Sequence, residues 1–212
     1  FVEAHPFGLV CHLSGWKRVL EESFSHMKGH CLTLANGDGS IRAALPVFEI
    51  RSLFFGNRLV SIPFATNCDP LISSSEDMTA LLDAAINLSI ELHCPKIEIR
   101  TLSSYPVIRD DKIGNVVLNK SHQLSLESTL DDIMKAFSKK IRQKIRKPLQ
   151  GATEIQLAGN ETHLAEFYRH YVKTRKRLGL PPQPYLFFES IWRNLWPSKH
   201  VALLLVRNEG KL

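Results

Sequence analysis

No stretch of eighteen consecutive apolar residues occurs anywhere in this 212-residue chain, which excludes an ordinary membrane-crossing helix. The first fifteen residues also lack the basic start and apolar block of a secretory signal. Cysteine is scarce: Cys11, Cys31, Cys68 and Cys94 are widely spaced, with no C-x-x-C and no histidine at metal-ligand spacing. Neither a disulfide framework nor a bound metal is therefore expected, and the four read as free thiols of a reducing, cytoplasmic compartment. Each is expected to be a small buried apolar residue of ordinary acidity. His26 and His30 stand four apart, but Gly29 lies between them and no third ligand is in view. A G-x-S-x-G elbow and a Ser/His/Asp constellation are both missing, which argues against covalent catalysis by a protein nucleophile.

An apolar content of 44% lets a chain of this length bury a real core, as one large domain or two small ones. The chain begins at Phe1 rather than methionine and stops at "LLLVRNEGKL", where a strand has just started. A fragment is the expectation. Charge is the uneven feature. Between Ile133 and Thr153 there are seven lysines and arginines and no acid, which leaves 20 basic against 21 acidic residues elsewhere. The whole net charge of +6 therefore sits in one segment, "KAFSKKIRQKIRKPLQGATEI".

Along the chain, "LSGWKRVLEESFSH" places Leu13, Trp16, Leu20 and Phe24 three and four apart, an amphipathic helix started by Ser14. "CLTLA" and "IRAALPVFEI" flank "NGDGS" and predict a hairpin. "NRLVSIP" follows as a short strand, "SSEDMTALLDAAINLSIELH" as a serine-capped helix closed by Pro95, and "KIEIR" and "NVVLNKSHQLSLE" as strands. This half is an α/β domain with a mixed or antiparallel sheet. Ser128 and Asp131 form a Ser-x-x-Asp box ahead of a basic helix, where a domain hinge is expected. Pro148 ends that helix. "TEIQLAG" then reads as a strand, "NETHLAEFYRHYVKTRKRLG" as a helix from Asn160 to Gly179, "LPPQP" as a loop, "YLFFESIWRNLW" as a short helix and "HVALLLVRNEGKL" as a buried strand.

At 100° per residue, Leu130, Met134, Phe137, Ile141 and Ile145 fall within about an 80° sector, while Lys135, Lys139, Arg142 and Arg146 cluster opposite. One face is expected on a core and the other toward a polyanion. Like charges at these steps oppose helix formation by roughly 0.2 to 0.5 kcal/mol per pair, and a face serving only solubility would carry interspersed acids. The plain alternative is a solvated basic face. Asp69 in "TNCDP" is a candidate for orienting an acceptor, against the simpler and favoured reading of a turn before Pro70. Tyr185, Phe187, Phe188, Trp192 and Trp196 could line a groove, but their spacing favours a core helix.

"FSKKIRQKIRKPLQGATEI" followed by "HLAEFYRHYVKTRKRLGLPPQPYLFF" resembles the FemAB-like acyltransferases, which carry a basic K/R-x-x-I-R/K-K/R stretch, then G-V/A-x-I, then R-x-G-I/L-x-x-x-P with aromatics. "SGWKRVLEES", "GSIRAALPVF" and "NRLVSIPFATNCDPL" resemble the family's first-domain segments, so the likeness covers nearly the whole chain. It implies a fold of the α/β (α+β) class: a GNAT-like mixed-sheet domain over 1–127 and the first part of a second, truncated GNAT-like domain over 128–212. It also implies N-acyl or aminoacyl transfer to an amine of a cell-envelope or polysaccharide-related acceptor, by direct attack in a ternary complex. No bound cofactor is implied; the co-substrate would be aminoacyl-tRNA or acyl-CoA, and the partners a phosphate-bearing small molecule or carrier and tRNA. The GNAT phosphate loop, R/Q-x-x-G-x-G/A, is not visible in the chain, which favours a donor other than CoA. Lys139, Lys140, Arg142, Arg146 and Arg177 are the expected phosphate-binding residues, and Lys144 also matches the family's basic stretch. Two positions depart from the family, Gln183 and Leu20 standing where peptidoglycan-type members have an arginine and a lysine; Lys17 and Arg18 are the nearest substitutes. The competing reading is a non-catalytic nucleic-acid or polyanion-binding module.

Overall fold

The computed structural model of the chain describes all residues except 53, 55, 103–113, 115–119, 121, 123, 150, 152 and 209–212. The segments form two compact units, one of residues 1–116 with 184–201 and the other of 117–183 with 202–212.

In the first unit, α1 (Ser14–Ser23) leads into the hairpin β1 (Met27–Ala35) and β2 (Ile41–Ile50). Asn36 N–H bonds the Ser40 carbonyl at 2.8 Å, and Gly39 takes the positive φ of +81° that the turn needs. β3 (Arg58–Val60) pairs antiparallel with β2, and β4 (Lys96–Glu98) pairs parallel with β3. The sheet order is thus β1-β2-β3-β4, a mixed sheet whose parallel step needs a crossover. That crossover is α2 (Ser75–Glu91), capped by Ser74, whose hydroxyl accepts from Asp77 N–H at 3.3 Å.

β2 is buried on both faces because the sheet is covered on both sides. Its Ala43, Leu45 and Val47 join Leu59 against Leu81 and Ala85 of α2. Phe48, of opposite parity, joins Ile62 against Val19 and Leu20 of α1 and against Phe187 and Leu195 of α6 (Tyr185–Leu195). Although α6 follows the basic segment in sequence, it packs in the first unit, on α1. Gly15 makes this close approach possible: a Cβ there would lie 2.8 Å from Leu195 Cδ2 and 3.3 Å from the Asn194 carbonyl. The aromatic set read from the sequence behaves mainly as core. Phe187 is buried against Trp16, Phe24 and Phe64, and Trp192 stacks on Trp196 at 4.0 Å.

The second unit contains α3 (Leu130–Ala136), α4 (Lys139–Leu149), α5 (Glu161–Arg177) and an antiparallel pair, β5 (Thr153–Leu157) with β6 (Leu204–Asn208). Asn160 caps α5 through His163 N–H at 3.0 Å, and Gly179 at φ +67° ends it. Bidentate bonds of 2.6 Å from Arg207 on β6 to Glu166 on α5 tie the two elements together.

Four local expectations need correction. Ser14 is the first residue of α1 rather than its cap, since the N-cap is Leu13 with no side-chain bond. The box ahead of the basic segment sits one residue later: Thr129 accepts from Asp132 N–H at 3.2 Å. The basic helix is two helices, because Phe137 takes an extended conformation between α3 and α4. Pro148 lies within α4, which runs on to Leu149. The strand expected over "NVVLNKSHQLSLE" falls largely outside the described residues.

Candidate functional site

The break at Phe137 changes what the basic segment presents. With α3 and α4 separate, Leu130 and Met134 no longer continue the face of Ile141 and Ile145. Leu130 is 82% exposed, Ile141 41% and Ile145 37%. The expected core face is therefore only partly covered, and no described side chain of α3 or α4 is fully buried.

The opposite side keeps its charge. On α4, Lys140, Lys144 and Lys147 stand at i, i+4 and i+7, beside a second row of Lys139, Arg142 and Arg146. Lys139, Lys140, Lys144, Arg146 and Lys147 are exposed, and among the described residues none of them makes an ion pair. An 11-residue helix is about 16 Å long, so five cations without an ion pair among the described residues sit within that length. Lys139 and Lys140 also occupy the first turn, where the helix dipole favours anions and disfavours ammonium groups. Such an end is improved by a bound anion.

Two members of the cationic stripe read from the periodicity have other partners. Arg142 is half-buried, and its Nη1 donates to the carbonyls of Lys135 at 3.0 Å and Phe137 at 2.7 Å. It thereby closes the C-terminal end of α3 and fixes the bend into α4. Lys135 pairs with Asp132 at 3.4 Å. Without these two, the stripe keeps Lys139 and Arg146, and the other exposed cations of α4 are Lys140, Lys144 and Lys147.

Arg177 is exposed at the last position of α5. Its neighbour Arg175, which the sequence did not single out, is the residue built into the loop beyond. Arg175 donates to the Pro181 carbonyl from Nε at 3.1 Å and Nη2 at 2.7 Å, with its guanidinium 6.0 Å from the Tyr171 ring centre. Tyr168 donates its hydroxyl to the Gln183 carbonyl at 3.0 Å, and Gln183 N–H donates to the Tyr171 hydroxyl at 3.3 Å. The "LPPQ" loop is thus pinned to α5. Gln183 Oε1 is buried with no hydrogen-bond partner among the described residues, so the position that departs from the family pattern presents a buried acceptor in place of a cation.

The other departure, Leu20, is fully buried in the first unit's core. Neither suggested substitute is free: Lys17 pairs with Glu21 at 2.7 Å, and Arg18 Nε bonds Asn194 Oδ1 at 3.1 Å. Asp69 belongs to the same unit and is buried. Both its carboxylate oxygens accept from Leu102 N–H, at 3.1 and 3.0 Å, so the carboxylate serves the local backbone.

The cysteine expectation also needs revision. Cys11, His12 and Cys68 lie with Sγ, ring nitrogen and Sγ all within 4.8 Å of one another. The hydrogen bond from Cys68 lowers the Cys11 thiol, against the effect of burial, to about 5. Fifty-six residues lie between Cys11 and Cys68, so no spacing rule reveals the cluster; the adjacent Cys11-His12 pair was the available hint.

No family model and no curated protein matches the chain. No helix among the described residues is long and apolar enough to cross a membrane. Among solved structures, the crystal structure of FemX matches with a TM-score of 0.75 at 17% identity, over 97% of this chain and 54% of the FemX chain. The chain spans about half the length of FemX. The three-dimensional likeness agrees with the order of segments in the sequence: the chain has a mixed α/β fold similar to that of FemX, with a mixed four-stranded sheet.

Proposed function

We propose that the chain is the substrate-holding portion of an N-acyltransferase of the FemAB/GNAT type, whose α4 cations bind a phosphate-rich donor or acceptor. The observation carrying this reading is the set of exposed cations on α4 that make no ion pair among the described residues, within a FemX-like fold. Clustered Lys and Arg raise the local concentration of polyanions and hold several phosphates at once. The second unit, by the same reading, belongs to a second GNAT-like domain.

Acyl transfer from an ester or thioester to an amine requires an uncharged amine, stabilisation of the developing oxyanion and alignment of two substrates. It requires no protein nucleophile. In this reading α4 contributes alignment: it binds the phosphates of one substrate so that binding energy distant from the reacting carbon orients that carbon. Arg177, exposed at the end of α5, adds a further cation for the same substrate. The donor is an aminoacyl-tRNA or an acyl-CoA and the acceptor an amine of a cell-envelope or polysaccharide precursor.

The test is direct. The protein is incubated with an amine acceptor and either charged tRNA or acyl-CoA, and the acceptor mass is followed. An increment equal to the acyl or aminoacyl group supports the reading. Salt-sensitive binding of tRNA with no increment from either donor would replace it with a non-catalytic polyanion-binding module.

A further inference from the structure

From the cluster of Cys11, His12 and Cys68 we infer a redox-active dithiol, in which Cys11 is the attacking sulfur toward small disulfides and Cys68 resolves the mixed disulfide. The site lies in the first unit's core. Cys11 belongs to the short 3-10 turn Val10–His12 ahead of α1, and Cys68 lies beyond β3, its N–H on the Arg100 carbonyl at 2.8 Å. Both pack with Val19, Leu20, Phe48, Ile62 and Phe187.

The hydrogen bonds of His12 distinguish a dithiol from a metal site. Leu9 N–H donates to His12 Nδ1 at 3.0 Å, so Nδ1 is an acceptor and the ring proton resides on Nε2. Nε2–H is directed at the Asp69 carbonyl, 2.9 Å away, and at Cys68 Sγ, 3.1 Å away. A metal on Nε2 would require the proton to move to Nδ1, where it would oppose the Leu9 N–H. The ring therefore acts as a donor to the sulfur pair.

Two thiols sharing a hydrogen bond in an apolar pocket ionise unequally. The first proton leaves readily because the remaining S–H stabilises the thiolate, and the second is held because two adjacent buried anions repel. Cys11 is accordingly lowered to about 5, and Cys68, with Cys11 and then burial as causes, is pushed far above the usual thiol range. The titratable groups facing the pair are His12 and Asp69. Cys11 keeps 8% exposure and Cys68 none, so Cys11 is the sulfur a small disulfide reaches first and Cys68 the resolving thiol beside it.

The chemistry balances with a low-molecular-weight disulfide, RSSR, as oxidant. The Cys11 thiolate attacks one sulfur of RSSR, forming a Cys11–SR bond and releasing RS⁻. The Cys68 thiol then attacks the Cys11 sulfur as its proton passes to the departing thiolate, which leaves as RSH. The products are one protein disulfide, one RS⁻ and one RSH; two protein sulfurs are oxidised and RSSR is reduced. The bond formed ties the turn before α1 to the segment after β3.

The test exposes the native protein to oxidised glutathione, blocks remaining thiols, and maps all four cysteines by mass spectrometry. Cys31 is exposed and serves as the reference within the molecule. The expected result is a Cys11–Cys68 disulfide formed at least ten times faster than Cys31 is glutathionylated, with that preference lost in denaturant. In Cys68→Ser the glutathione adduct should accumulate on Cys11, and in Cys11→Ser Cys68 should stay free. Modification following exposure, with Cys31 first and Cys11 and Cys68 still thiols, would overturn the inference. So would one equivalent of zinc retained by dialysed wild-type protein and released on thiol blocking. The wild-type comparison stands even where a serine variant folds poorly.

Discussion

Replacing Lys139, Lys140, Lys144 and Arg146 together by glutamine separates the binding of a polyanion from the stability of α4. These side chains are exposed and unpaired among the described residues, so their loss breaks no ion pair there. Glutamine has nearly the helix propensity of lysine and arginine. Four like-charged pairs also disappear: 139/142, 140/144, 142/146 and 144/147. At roughly 0.2–0.5 kcal/mol each in an isolated helix, their removal relieves about 1–2 kcal/mol of repulsion. Thermal stability should therefore hold or rise. Binding should do the opposite. Each phosphate contact on a single strand adds about 0.7 to the slope of log K against log salt, so raising salt from about 50 to about 200 mM costs roughly 2.6-fold per contact and about 50-fold for four. Fluorescence anisotropy with a labelled single-stranded oligonucleotide measures this. The wild type should show a slope magnitude near or above about 3, and the variant should lose most of it. Equal slopes in the two proteins, with both folded, would refute the reasoning that α4 holds phosphates.

Three further outcomes follow from the packing. Arg142→Ala should loosen the turn between α3 and α4 by about 1–3 kcal/mol, because two carbonyls lose a charged donor. Faster amide exchange at residues 133–142 with exchange in α5 unchanged is the expected signature, and uniform protection would contradict it. Gly15→Val should cost about 1–3 kcal/mol in urea unfolding, since even a Cβ meets Leu195 at 2.8 Å; a wild-type midpoint would mean that α1 and α6 do not approach as described. The Arg207 hydrogen bonds lower the Glu166 carboxyl below its ordinary value. A group depressed on folding stabilises above its unfolded pKa and loses that contribution as pH falls through the folded value. Exchange protection of β6 amides should therefore weaken as the solution is acidified below the ordinary carboxylate range, and Glu166→Gln should make it insensitive to pH there.

Much of this architecture was legible because local rules agreed with tertiary demands. The "NGDGS" turn, the Ser74 and Asn160 caps and the Gly179 stop each satisfy one backbone requirement with one residue, and each appears where expected. Where several registers were open, the sequence was ambiguous. Ser128 and Thr129 offer adjacent caps, and only the structure selects Thr129. A continuous 100° periodicity from Leu130 to Ile145 concealed a break, because periodicity cannot sense that Phe137 is extended or that Arg142 turns back onto its carbonyl. Position in the chain misassigned α6, whose apolar face is completed by α1, more than 160 residues earlier. The same long-range folding joins Cys11 to Cys68. Of the candidate site, the exposed cations were readable from composition; which of them already had partners was not.

The central claim, that the α4 cations hold the phosphate-bearing substrate of an acyl transfer, is tested most directly by steady-state kinetics. Acceptor modification is measured as a function of the concentration of the phosphate-bearing substrate, with wild type and the quadruple glutamine variant. KM should rise at least tenfold in the variant, with kcat changed less than threefold. An unchanged KM would contradict it.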